Sequence, residues 1–103
     1  MSDLPELFHL MQGDTVLAVL KRCEPVEMFW LGCEFEPNES FATVESLFRQ
    51  ATSTEDMDIF HDCYDKIEEA GVVLLDVHGN RTTNNFFMHI RGDKVEIRFS
   101  FDE

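Results

Sequence analysis

Asp58, Asp62, Asp65 and Glu69 follow one another at intervals of four, three and four residues. At 3.6 residues per turn, that spacing lines four carboxylates along one stripe of a helix. Such a row could ligate a hard cation, trade protons with a substrate, or stand in for phosphates against a cationic protein surface. Calcium is excluded by register. An EF-hand loop counted from Asp56 places Phe60 at the fifth position, His61 where glycine is required and Ile67 where the bidentate glutamate belongs. Acid–base catalysis has no better claim: Glu34 and Glu36 share a strand face, but carboxylates are too plentiful here for that pair to be diagnostic. Docking to a basic protein remains. Like charges at helical spacing cost a few tenths of a kcal/mol per pair, roughly, and a cationic partner relieves that cost. With Glu55 and Asp56 at the helix start, these six acids are the candidate partner contacts.

Other chemistries lack their residues. His61 and Cys63 lie two positions apart, about 200° around a helix, so they can neither share a metal nor act as base and nucleophile. There is no GxSxG, phosphate-binding loop, HExxH or dinucleotide fingerprint. No catalytic residue, metal or cofactor is therefore expected, and the chain does not read as an enzyme. Cys23, Cys33 and Cys63 are odd in number and form no CxxC pair, which reads as buried reduced thiols. Met1 to Gly13 lacks a basic leader followed by an apolar run, so the expected location is cytoplasmic.

Charge narrows the partner. Twenty-one acids against eight bases give a net charge of −13. Met1 to Ser40 and Phe41 to Ala70 each hold eight acids and two bases, whereas Gly71 to Glu103 holds five and four. Nucleic acids and anionic membranes both need clusters of Lys and Arg that the chain does not have. A basic macromolecule is the favoured partner.

The clearest positioning element is a hairpin at Asn85 to Asp102. A turn at Gly92 and Asp93 sets Arg91 opposite Lys94, Ile90 opposite Val95, Met88 opposite Ile97 and Phe86 opposite Phe99. Alternation then puts Phe86, Met88, Ile90, Val95, Ile97 and Phe99 on one oily face. Phe87 falls on the other face beside His89, Arg91 and Arg98, an aromatic among cations, which is the composition of an interface centre. It joins the six acids as a candidate partner-binding residue.

The remaining elements follow from periodicity. Leu4, Leu7, Phe8 and Met11 recur at helical spacing after Ser2, with Gly13 as the stop. Asp14 to Arg22 reads as a strand, Pro25 as a break, and Val26 to Phe35 as a strand covered on both faces. Helices follow from Phe41 and from Thr54, the latter with Ser53 and Asp56 at capping-box spacing and with Met57, Phe60, Cys63 or Tyr64, and Ile67 on its buried side. Val72 to His78 is a further strand. The predicted fold is a single α+β domain over residues 1–103: a mostly antiparallel sheet of four to five strands with two or three helices packed on one face, in the order α-β-β-α-α-β-β-β.

In size, acidity and α+β pattern the chain resembles, in type, the small acidic bacterial inhibitors that include toxin-immunity and anti-CRISPR proteins. The resemblance implies a protein that binds and neutralises a basic partner, a nuclease-type toxin first, with carboxylates occupying a phosphate-binding groove. The alternative is a homodimeric adaptor that associates through the outer face of the C-terminal hairpin, so the expected state is a monomer or a weak homodimer.

Overall fold

The computed structural model describes residues 7–100. Ten elements follow one another: β1 (Leu7–Gln12), β2 (Thr15–Glu27), β3 (Trp30–Pro37), a 3-10 turn (Glu39–Thr43), α1 (Glu45–Ser53), α2 (Met57–Glu69), β4 (Val72–Asp76), β5 (Arg81–Thr83), β6 (Phe86–Arg91) and β7 (Lys94–Phe99). All seven strands join one antiparallel sheet in the order β5-β4-β1-β2-β3-β7-β6. This corrects the expected four to five strands and the expected element order. The sheet curls into a half-barrel. Phe8 on β1 and Phe99 on β7 stand three places apart in the sheet, yet their ring centroids are 5.0 Å apart.

The predicted first helix is the first correction. Ser2, Leu4 and Pro5 lie outside the described residues, but Leu7–Gln12 is a strand. Leu7, Phe8 and Met11 satisfy a helical period, while Phe8 and Leu10 satisfy a period of two, and the sheet decides. Both Phe8 and Leu10 are fully buried between β2 and β4. Gly13, with φ +59°, is not a helix stop; with Asp14 it forms the two-residue turn that sets Gln12 opposite Thr15.

The second correction concerns Pro25. β2 runs through it to Glu27, and Pro25 stands opposite Leu31. Among the described residues no strand faces β2 on that side beyond Lys21, and there the missing N–H of Pro25 costs no ladder bond. Two irregularities bend this long strand. Arg22 and Cys23 together oppose Cys33, with Arg22 at φ +52°, and Val26 is an extra residue between Pro25 and Glu27. The aromatic run after Pro25 is consequently a hairpin tip rather than a strand covered on both faces: Met28 is 79% exposed and Phe29 72%.

The Gly92–Asp93 hairpin stands in its predicted register, from Phe86↔Phe99 to Arg91↔Lys94. Gly92 takes φ +68° while Asp93 stays outside the left-handed region, as a type II′ turn requires.

Two helices fill the opening of the half-barrel. Phe48 on α1 is fully buried at the centre, with the rings of Phe41, Tyr64 and Phe86 within 5.9–6.3 Å. Cys63 and Ile67 turn α2 inward, but Met57, expected on that face, is 60% exposed. The helices also close the end of the sheet. Among the described residues β6 has no strand on its outer side, and the hairpin register turns the peptide groups of Met88 and Ile90 away from β7. The Tyr64 hydroxyl accepts from Met88 N at 2.8 Å and donates to Met88 O at 3.1 Å. Thr52 Oγ1 accepts from Ile90 N at 3.1 Å and donates to Phe48 O at 2.8 Å. Each buried peptide group left unpaired would cost about 1–3 kcal/mol. No helix among the described residues is long and apolar enough to cross a membrane.

Burial lifts the Tyr64 hydroxyl to a pKa of about 12, partly offset by its bond to Met88. A folded pKa above the unfolded value of 10.0 means that the stabilisation is complete below pH 10 and is lost as pH rises towards 12. Urea melts of the parent and of Tyr64→Phe should therefore show the parent losing stability more steeply over pH 10–12. At neutral pH Tyr64→Phe should cost about 1–3 kcal/mol, because Met88 N loses its acceptor.

Candidate functional site

α2 presents the acidic stripe as the spacing requires. Glu55, Asp56, Asp58, Asp62, Asp65, Glu68 and Glu69 are all exposed. They do not have one role. Asp56, not Ser53, is the N-cap: its carboxylate accepts from Asp58 N at 2.9 Å and from Ile59 N at 3.4 Å. Asp62 holds Lys66 at 3.0 Å one turn on, which raises the lysine's pKa. Glu55, Asp58, Asp65 and Glu69 form no ion pair among the described residues. The scarcity of cations explains this. Six of the eight bases are bound to carboxylates, and only Lys66 of these pairs with an acid of α2.

Phe87 is linked to this helix by packing. α2 reaches the β6 edge through side chains: Tyr64 bonds the Met88 peptide, and Phe60 and Tyr64 place ring centroids 5.3 and 4.9 Å from Phe87. His89 continues the layer, 4.8 Å from Trp30 and 6.4 Å from Phe60. Burial, then the neighbouring Arg91, lower the His89 pKa, and Glu96 works against them. Phe87 is therefore half covered by α2, and its remaining surface lines two adjoining depressions.

The larger depression is a groove of about 640 Å³ at one rim of the half-barrel, lined by the start of β3, the end of β7 and the start of β6. Phe29, Trp30, Leu31, Phe87 and Phe99 form apolar walls, and Arg98 is its charged residue. The smaller, of about 170 Å³, shares Asn85 and Phe87 with the groove and is bounded by His61, Asp65 and Glu68 of α2. Thus the structure brings Phe87 and Asp65 to one surface. Glu55, Asp56 and Asp58 stand at the far N-terminal end of the helix, away from both hollows.

Sequence reasoning missed the tip of the β2–β3 hairpin. Val26, Met28 and Phe29 are exposed there, and the Arg98 guanidinium carbon lies 5.4 Å from the centre of the Phe29 ring. Phe29 takes φ +71° as the second residue of the two-residue turn between Glu27 and Trp30, a conformation that costs a bulky residue about 1–3 kcal/mol. At the base of the tip, Cys23 and Cys33 are joined by a disulfide with Cα atoms 4.2 Å apart. This corrects the expectation of three reduced thiols; Cys63 alone is free, and it is buried. Once β2 is seen to run through Pro25, the two cysteines face each other across a bulge, a relation their sequence separation conceals. Glu68 was also passed over, although it stands three residues after Asp65 and so shares its side of the helix.

Because Asp56 satisfies two helix-terminal amides, Asp56→Ala should lower stability by about 0.5–2 kcal/mol in thermal or urea unfolding. Asp65→Asn, which breaks no such bond, should stay within about 0.5 kcal/mol of the parent.

No family model matches the chain, and neither a curated protein nor a solved structure is significantly similar to it.

Proposed function

We propose that this chain is a small acidic inhibitor that binds and neutralises a basic protein, in the manner of an immunity protein against a nuclease-type toxin. The observation that carries this reading is the uncompensated charge of α2: seven acids and one base lie between Glu55 and Glu69, while the remaining cations are mostly bound to carboxylates elsewhere. A solvated row of carboxylates on a rigid helix matches the row of phosphates that a nuclease cleft is built to hold. Phe87, with the hollow beside Asp65 and Glu68, supplies the desolvated centre that charge alone lacks. Anti-CRISPR activity would use the same surface against a different nucleic-acid-binding cleft.

Electrostatic docking appears chiefly in the association rate. Co-expression with basic nuclease toxin domains should identify one whose growth arrest the chain relieves. Stopped-flow association with that domain should then slow about tenfold or more between roughly 0.02 and 0.5 M salt. The variant carrying Asp58→Asn, Asp62→Asn, Asp65→Asn and Glu69→Gln should start slow and respond weakly to salt. A rate indifferent to ionic strength would remove the basis of the proposal.

The exposed Val26, Met28 and Phe29 favour a second reading, a self-associating adaptor. Sedimentation over a wide concentration range decides it: a weight that rises with concentration in the parent and not in Phe29→Ser supports the adaptor, and a constant monomer weight dismisses it.

A further inference from the structure

The groove at the rim of the half-barrel combines three features that the acidic helix does not use. Its volume of about 640 Å³ lies in the range of small-molecule sites, about 300–1,000 Å³. Its walls are aromatic and aliphatic, from Phe29, Trp30, Leu31, Phe87 and Phe99. Its single charged group among the described residues, Arg98, is an exception there. Six of the eight bases hold a carboxylate, yet Arg98 makes neither an ion pair nor a donated hydrogen bond among the described residues. It rests instead against the Phe29 ring, at a tip held in a strained left-handed turn and tied at its base by the Cys23–Cys33 disulfide. Unpaired among the described residues and at the edge of an apolar groove, the arginine presents N–H donors in the planar fork that matches a carboxylate.

We propose that this groove binds a small amphipathic carboxylate, its alkyl chain or ring against Trp30, Phe87 and Phe99 and its head group paired with Arg98. Asn85 and Ser100 line the same groove and offer polar side chains beside the head group. The net charge of −13 opposes anions at long range, but such fields are screened over about 8 Å at physiological ionic strength, whereas Arg98 acts at contact. That charge also disfavours an anionic lipid surface and so points to a free, soluble ligand.

Trp30 is the only tryptophan in the chain and lines the groove, so its fluorescence reports occupancy. The test is a titration of the full chain with dodecanoate below its micelle concentration, beside dodecanol as the neutral analogue. Saturable change in Trp30 emission is expected with dodecanoate, about tenfold weaker with the alcohol, and about tenfold weaker for Arg98→Gln, with Arg98→Lys between. Lys94→Gln, which removes the same charge away from the groove, should bind as the parent does. Circular dichroism confirms that each variant is folded. Equal affinity for acid and alcohol, undiminished binding in Arg98→Gln, an equal loss in Lys94→Gln, or no saturable signal would each overturn the proposal. Because none of these substitutions touches α2, failure here is separate from failure of the inhibitor reading.

Discussion

An antiparallel sheet that curls without closing leaves its edge strands with unpaired peptide groups and its oily interior open beside them. Both problems arise at β6, and one arrangement answers them. Tyr64 occupies the Met88 peptide on both its N–H and its carbonyl, while Thr52 occupies Ile90 N. These hydroxyls come from two helices whose other faces bury Phe48, Cys63 and Ile67. Sealing the edge and plugging the core are thus one event. Edge strands left bare pair with other chains, so two side-chain hydroxyls also guard against association through β6.

The same arrangement dictates where charge can lie. With Cys63 and Ile67 fixed inward and Phe60 and Tyr64 wrapped over the edge, α2 keeps only one side in water, and that side carries its acids. Phe87 is held against the helix by the Phe60 and Tyr64 rings, which places an aromatic surface directly beside Asp65 and Glu68. On the far flank, the bulges of β2 and the cross-strand disulfide aim the Met28–Phe29 tip past the end of the sheet. An acidic helix and an apolar tip, with a groove between them, therefore follow from the way one sheet is closed.

Legibility in the sequence divided along the range of the interactions involved. The C-terminal hairpin was readable to the residue because its turn and its alternation are local: Gly92 sets the register, and every apolar partner follows. The acidic stripe was readable for the same reason, since spacing alone decides the side of a helix. Leu7–Gln12 was not, because its apolar Leu7, Phe8, Leu10 and Met11 satisfy either period and only pairing with β2 and β4 selects the strand. Pro25 misled because whether it breaks a strand depends on being central or at an edge, which the chain order does not disclose. That error hid two more: the cysteine pair across β2 and β3, and the exposure of Met28 and Phe29. Of the candidate contacts, Phe87 and Asp65 meet at one surface, while Asp56 is occupied by capping and Asp62 by Lys66.

Amide hydrogen exchange at Met88 and Ile90 tests most directly whether the helices seal the sheet. Both amides face outward from the last strand of the sheet, so nothing in the ladder protects them. If Tyr64 and Thr52 hold them, they should exchange as slowly as the ladder amides of β7 next door. Exchange at the rate of an open edge would contradict the sealed half-barrel and, with it, the fixed placement of the acidic helix.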